Sequence, residues 1–136
     1  MQELSKSIWF PNHDESNKDG LIAIGGDLSV ERLMHVYHLG IFPWFNEGQP
    51  LFWWSPDPRM ILLPESFKVS KSLKKTILSN KYKITLNTSF EEVINCCSKI
   101  KRKGQQGTWI TKNMITAYLQ LHKKGYAKSI EVWLGD

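Results

Sequence analysis

The sequence predicts an α+β protein in two parts, a small N-terminal domain over residues 1–65 and the first part of a mixed α/β domain over 66–136. Three observations carry this. Pro43, Pro50, Pro56, Pro58 and Pro64 punctuate the stretch from Gly40 to Pro64, and proline, lacking a backbone donor, confines strands there to short pieces. After Pro64 the apolar residues alternate between helical and strand spacing. The charge turns over at the same point: residues 1–65 hold 4 Lys/Arg and 9 Asp/Glu, residues 66–136 hold 14 and 4.

Taken in order, Met1 to Phe10 mixes Glu3 and Lys6 into its apolar positions and has no signal-peptide core. Asn12 to Gly20 is polar and reads as a loop, and the apolar run Leu21–Ile24 closes at Gly25-Gly26. Ser29 is placed to cap a helix carrying Val30, Leu33, Met34 and Tyr37 on one face, ended by Gly40. Ile41-Phe42, Leu51–Trp54 and Met60–Leu63 are the short apolar pieces between the prolines. Ser70 opens a helix with Leu73, Ile77 and Leu78, and Tyr82–Leu86 alternates as a strand. Ser89 with Glu92 spells a capping box ahead of Phe90, Val93, Ile94 and Cys97. Thr111 caps a helix bearing Met114, Ile115, Tyr118 and Leu119, closed by Gly125, and Ser129–Leu134 is a strand with Ile130, Val132 and Leu134 on one face. That strand follows a helix and lacks a successor, so its edge is expected to invite another chain. The pattern reads as a fragment, a shortened form, or a protein that completes its sheet by self-association.

Composition excludes several classes. Hydrophobic residues are 41% and charged residues 23%, the balance of a globular chain rather than a disordered one. No apolar run approaches the ~20 residues that span a bilayer, so no membrane partner is expected. The two cysteines, Cys96 and Cys97, are adjacent, which gives no disulfide framework and points to the reducing cytoplasm. From one helix they cannot both meet a tetrahedral metal, and Cys97 falls on the apolar face as core. His35 and His38 lack a third ligand and read as a solvated face. No metal site and no Ser-His-Asp set follow from these spacings. Gly25-Gly26-Asp27 is a turn before a helix rather than a phosphate loop, and Gly104–Gly107, after Lys101-Arg102-Lys103, is a basic loop with a weak likeness to the GxxG clamp of nucleic-acid-binding domains.

Two features point to an anionic, base-bearing partner. Lys71, Lys74 and Lys75 share one helix side, a solvated stripe unless a polyanion meets it. Six Trp, four Tyr and six Phe supply stacking surface. Side chains alternate along Leu51–Trp54, so Trp53 and Trp54 cannot both enter one core, and a tryptophan is expected near a surface or cleft. The residues alone leave open an enzyme, a non-catalytic RNA-binding module, and a peptide-binding module built on the Pro/Trp-rich segment.

The segments GLIAIGGDLS (Gly20–Ser29), GIFPWF (Gly40–Phe45), LFWWSPDPR (Leu51–Arg59), GTWIT (Gly107–Thr111) and AYLQLHKKGYAKSIEVW (Ala117–Trp133) narrow the choice. In order and composition the chain resembles the leucyl/phenylalanyl-tRNA–protein transferases, bacterial aminoacyltransferases of the N-end rule. The resemblance implies a small N-terminal domain followed by a GNAT-like acyltransferase domain. It implies transfer of leucine or phenylalanine from Leu-tRNA or Phe-tRNA to the α-amine of proteins beginning with Lys or Arg, with no cofactor, because the ester is already activated. Trp44 and Trp109 match the tryptophans that hold the 3′-terminal adenosine, and Tyr37 matches a tyrosine of that site. Lys71, Lys74 and Lys75 fall, more loosely, where such enzymes meet the tRNA body. The catalytic aspartate and glutamine of such enzymes and their amino-acid side-chain pocket have no counterpart here, so the 136 residues alone are expected to lack the chemistry.

Overall fold

The apolar run ending at Gly25-Gly26 forms β2 (Leu21–Gly25), the centre from which the first sheet is built. The computed structural model describes residues 2–100, 103 and 107–135. Around β2 lie β1 (Gln2–Leu4), β3 (Phe42–Pro43) and β4 (Phe52–Trp54) in the order β1-β2-β4-β3, with β1 parallel to β2 and the other pairs antiparallel. The strand β1 is a finding of the structure; three residues without alternation carry no pattern, and the parallel register Gln2↔Ala23 to Leu4↔Gly25 gives them their conformation.

One face of this sheet is the core. Helix α1 (Val30–His38) starts where the Ser29 hydroxyl accepts from the Arg32 N–H, and it buries Leu33 and Val36. Helix α4 (Lys112–Lys123), capped by Thr111 accepting from the Met114 N–H, adds Ala117 and Leu121 to the same cluster as Leu4, Phe10, Ile22 and Trp53. Trp53 is 0% exposed, with Phe10 edge-on at 5.1 Å and its indole N–H donating to the Gly25 carbonyl at 2.9 Å. Trp54, its neighbour, is only half-buried, as strand alternation requires.

Gly20 and Gly26 are needed where they stand. A Cβ on Gly20, at φ +86°, would lie 2.5 Å from the Pro56 backbone, so only glycine lets the Asn17–Leu21 turn meet the proline-rich loop. A Cβ on Gly26, at φ +79°, would approach the Arg32 guanidinium carbon at 3.1 Å. Arg32 is fully buried there, donating to the Ser5 carbonyl at 2.9 Å and the Asp27 carboxylate at 3.3 Å.

The second half holds α2 (Lys71–Leu78), β5 (Tyr82–Leu86), α3 (Phe90–Lys99) and β6 (Ile130–Leu134), with β5 and β6 antiparallel and α3 against α4. The capping box expected at Ser89 does not form: its side chain makes no cap bond, and its N–H donates at 3.3 Å to Glu131, 42 residues away. Met60–Leu63 forms no strand, its side chains standing 48–98% exposed. The β5–β6 pair presents Tyr82, Ile84 and Leu86 beside Leu134, Val132 and Ile130, and that apolar face is open to solvent. No helix among the described residues is long and apolar enough to cross a membrane.

Candidate functional site

Helix α4 links two of the candidate residues, Tyr37 and Trp109. Its start is set by the GTWIT segment: Gly107 turns at φ +81°, the Thr108 hydroxyl accepts from the Ile110 N–H at 3.1 Å, and Thr111 caps the helix. Trp109 is thereby held on the wall of a cavity of about 290 Å³, with Phe90, Ile94, Cys97, Met114 and Tyr118 among its lining. The lining is largely apolar, suited to a ring or an aliphatic chain. Cys97, expected in the core, is half-buried at this cavity.

Tyr37, near the end of α1, meets this cavity through a partner. Its phenol is hydrogen-bonded to the phenol of Tyr118, which lines the cavity with Trp109. Burial, the facing phenol and this hydrogen bond push the Tyr37 pKa far up. Burial also raises that of Tyr118, against a smaller opposing effect of its bond to Tyr37. Both are neutral hydroxyls over the working pH range, able to donate and accept.

Trp44 stands elsewhere on the sheet. It is 51% exposed, its ring lies 6.0 Å from that of Trp54, and its carbonyl accepts from the Trp54 indole at 2.7 Å. Among the described residues no ring contact joins Trp44 to Tyr37 or Trp109. The segments do meet: Asn46 and Glu47, just beyond Trp44, line a cavity of about 450 Å³ with Gly107, Thr108, Ile110 and Thr111, which flank Trp109. The structure thus brings Tyr37 to Trp109 by way of Tyr118, and brings the Trp44 and Trp109 segments to one cavity.

Lys71, Lys74 and Lys75 are exposed on α2, whose Ser70 cap accepts from the Leu73 N–H. His35 and His38 are exposed on α1, and among the described residues no group of three His, Cys, Asp or Glu side chains could hold a metal. Lys101, Arg102 and Gly104–Gln106 of the GxxG loop lie outside the described residues. Tyr118 sits at helical spacing from Met114 and in the sequence reads as core; its hydroxyl is the signal there that a polar partner awaits it.

A further buried site belongs to Glu131. Its carboxylate accepts from the Ser129 hydroxyl and the Thr85 hydroxyl at 2.6 Å each, the Thr88 hydroxyl at 3.0 Å and the Ser89 N–H at 3.3 Å. The Ser129 and Thr85 bonds lead in holding its pKa down to about 2, against burial. This fixes β5, β6 and the start of α3 together, including Phe90, Ser129 and Ile130 of the Trp109 cavity wall.

A mixed sheet-and-helix chain in which Trp109 and Tyr118 wall one largely apolar cavity, with Tyr37 bonded to Tyr118, offers ring surface of the kind a flat ligand can stack on. Comparison with known proteins makes the class specific. The leucyl/phenylalanyl-tRNA protein transferase family matches residues 61–136, and its N-terminal domain matches residues 26–57. The chain belongs to this family. It is 53% identical over 133 residues to the leucyl/phenylalanyl-tRNA–protein transferase of Flavobacterium johnsoniae, covering 98% of this chain and 63% of that protein. It is 51% identical over 136 residues to that of Flavobacterium psychrophilum, covering 100% and 64%. The Pseudoalteromonas atlantica protein is 53% identical, with 96% and 56% covered. The chain therefore spans roughly 60% of the length of the curated relatives it matches.

Proposed function

We propose that the protein transfers leucine or phenylalanine from its aminoacyl-tRNA to the N-terminal α-amine of proteins beginning with Lys or Arg. Membership of the family carries this reading. In it, the amine nitrogen attacks the ester carbonyl, the bond to the tRNA 3′ oxygen breaks, that oxygen takes the proton the amine gives up, and an amide remains. The ester is activated beforehand, so the step calls on no cofactor.

On this reading Trp44, Trp109 and Tyr37 hold the terminal adenosine, with Tyr118 steadying Tyr37. Support comes from the meeting of the Trp44 and Trp109 segments at one cavity and from the Tyr37–Tyr118 hydrogen bond. Lys71, Lys74 and Lys75 meet the tRNA body. Residues 1–65 and 66–136 act as the N-terminal domain and the opening of a GNAT-like domain. The catalytic aspartate and glutamine are supplied by the further length the relatives have. That length also covers the open β5–β6 face, with self-association as the alternative cover. The working compartment is the cytoplasm, where charged tRNA is found.

The test is transfer of labelled leucine from Leu-tRNA to a peptide beginning with Arg, by the product of the complete reading frame. Transfer supports the proposal. Binding of tRNA without transfer, and without preference for the charged form, would instead favour a non-catalytic RNA-binding module.

A further inference from the structure

Trp54 has no part in the proposed transfer, and the sheet face that carries it is partly exposed. Phe42 pairs with Trp54 across β3 and β4, and the Trp44 N–H donates to the Phe52 carbonyl at 3.0 Å, so all four aromatic side chains lie on the face opposite the buried Trp53. Trp44 is exposed, and Phe42, Phe52 and Trp54 are half-buried. The Trp44 and Trp54 rings lie 6.0 Å apart, and Phe52 meets Trp54 edge-on at 6.3 Å. The Arg59 guanidinium sits 5.1 Å above the Phe42 ring. Arg59 is exposed and makes no ion pair among the described residues. It lies beside Gly40 at the end of α1, where the helix dipole favours a cation. Among the described strand residues of this face the acid is Glu3, which stands on β1 at the opposite edge of the sheet.

We infer that this face is a stacking platform for the unpaired nucleotides that precede the terminal adenosine: Trp54 and Phe52 take a base, and Arg59 takes a phosphate. The inference rests on the proposed adenosine contact at Trp44, which belongs to the same ring cluster. Rings accept any base by stacking, and a guanidinium matches phosphate in geometry and charge. A proline-rich peptide is the other ligand that aromatic surfaces take. It gives Arg59 no task, and an acceptor beginning with Lys or Arg would be repelled by it.

The test is titration of the chain with single-stranded RNA of one, two and three nucleotides ending in adenosine, followed by tryptophan fluorescence and calorimetry. The first added nucleotide should tighten binding roughly tenfold, and the second far less, because the platform takes one base and one phosphate. Arg59→Gln should abolish most of that gain and leave the single nucleotide unaffected; Trp54→Leu should also abolish most of the gain, while Trp54→Phe, which keeps a ring, retains part of it. Binding of adenosine with no gain on lengthening would overturn the platform, as would a gain that survives both variants. Trp54- and Arg59-dependent binding of the longer RNA by a chain that ignores adenosine would leave the platform standing and sink the adenosine assignment. Displacement of the fluorescence signal by a proline-rich peptide alone would assign the face to peptide.

Discussion

Tyr37 on α1 and Tyr118 on α4, 81 residues apart in the sequence, are hydrogen-bonded phenol to phenol. This bond joins the helix before Trp44 to the helix after Trp109. Burial, first, raises the pKa of both, so the folded chain keeps protons that the unfolded chain releases above about pH 10. Their stabilising effect is whole below that pH and is lost as the pH rises beyond it. Tyr37→Phe and Tyr118→Phe should each cost about 1 kcal/mol in urea denaturation. The double variant should cost less than their sum, and it should flatten the alkaline loss of stability. Strict additivity would mean the two phenols act separately.

Glu131 gives the opposite pH behaviour. Its carboxyl, held at about 2 against an ordinary 4.5, binds protons more readily in the unfolded chain. Stability from this site is therefore whole above about pH 4.5 and falls as the pH drops towards 2. Thermal melts of Glu131→Gln should show a shallower decline over that window than the parent chain. An equal decline in both would place the acid sensitivity elsewhere.

Arg32 and Asp27 are unequal partners. The Arg32 side chain is 0% exposed and that of Asp27 49%, so removing the acid strands a buried cation while removing the base frees a carboxylate that water can solvate. Asp27→Asn should cost about 2 kcal/mol, below the ~3–5 kcal/mol of a fully buried pair, because the Asp27 side of the bond is already wet. Arg32→Met, which keeps the volume packed against Phe10, should cost less. Chemical denaturation of the two variants gives the order directly.

These pairs also explain what the sequence could disclose. Caps at Ser29, Ser70 and Thr111 are local, each needing only its own helix's first turn, and all three form as their spacing predicts. At Ser89 the half of the box that Glu92 would supply, acceptance of the Ser89 N–H, is taken by Glu131 across 42 residues, a partner that local spacing does not show. Strand β1 is likewise made by its neighbour, since Gln2–Leu4 has no pattern of its own. The site divides in the same way. Alternation along β4 is enough to say that Trp53 and Trp54 cannot share one core, but only the packing shows that Trp53 is the buried one, and Tyr118 in an apolar stripe looks like core until Tyr37 is brought to it.

Trp44 and Trp109 differ in how far the fold depends on them. Trp44 is half exposed at the end of a short strand, so Trp44→Ala should leave the melting temperature nearly unchanged. Trp109 walls a cavity shared with Phe90 and Met114, so Trp109→Ala should lower it by several degrees. On the proposed adenosine role, each change in the product of the complete reading frame should weaken use of aminoacyl-tRNA by about 1–3 kcal/mol, the worth of one stacked base. Normal affinity in both variants would remove the adenosine from these two rings.

The basic helix offers a test that geometry alone does not. Lys71, Lys74 and Lys75 are exposed on α2, and each phosphate they neutralise would release a condensed counterion. The logarithm of tRNA affinity then falls linearly with the logarithm of salt, with a slope of about −0.9 per phosphate on duplex RNA, taking the value for duplex DNA. Replacing all three lysines by Ala should reduce that slope by about 2 to 3 and weaken every tRNA alike, because phosphate contacts carry no sequence. Replacing Lys123 and Lys124 at the far end of α4, where Lys124 is paired with Glu31 at 3.3 Å, should change it far less. An unchanged slope in the triple variant would make α2 a solvated helix and send the search for the tRNA body to another part of the basic half.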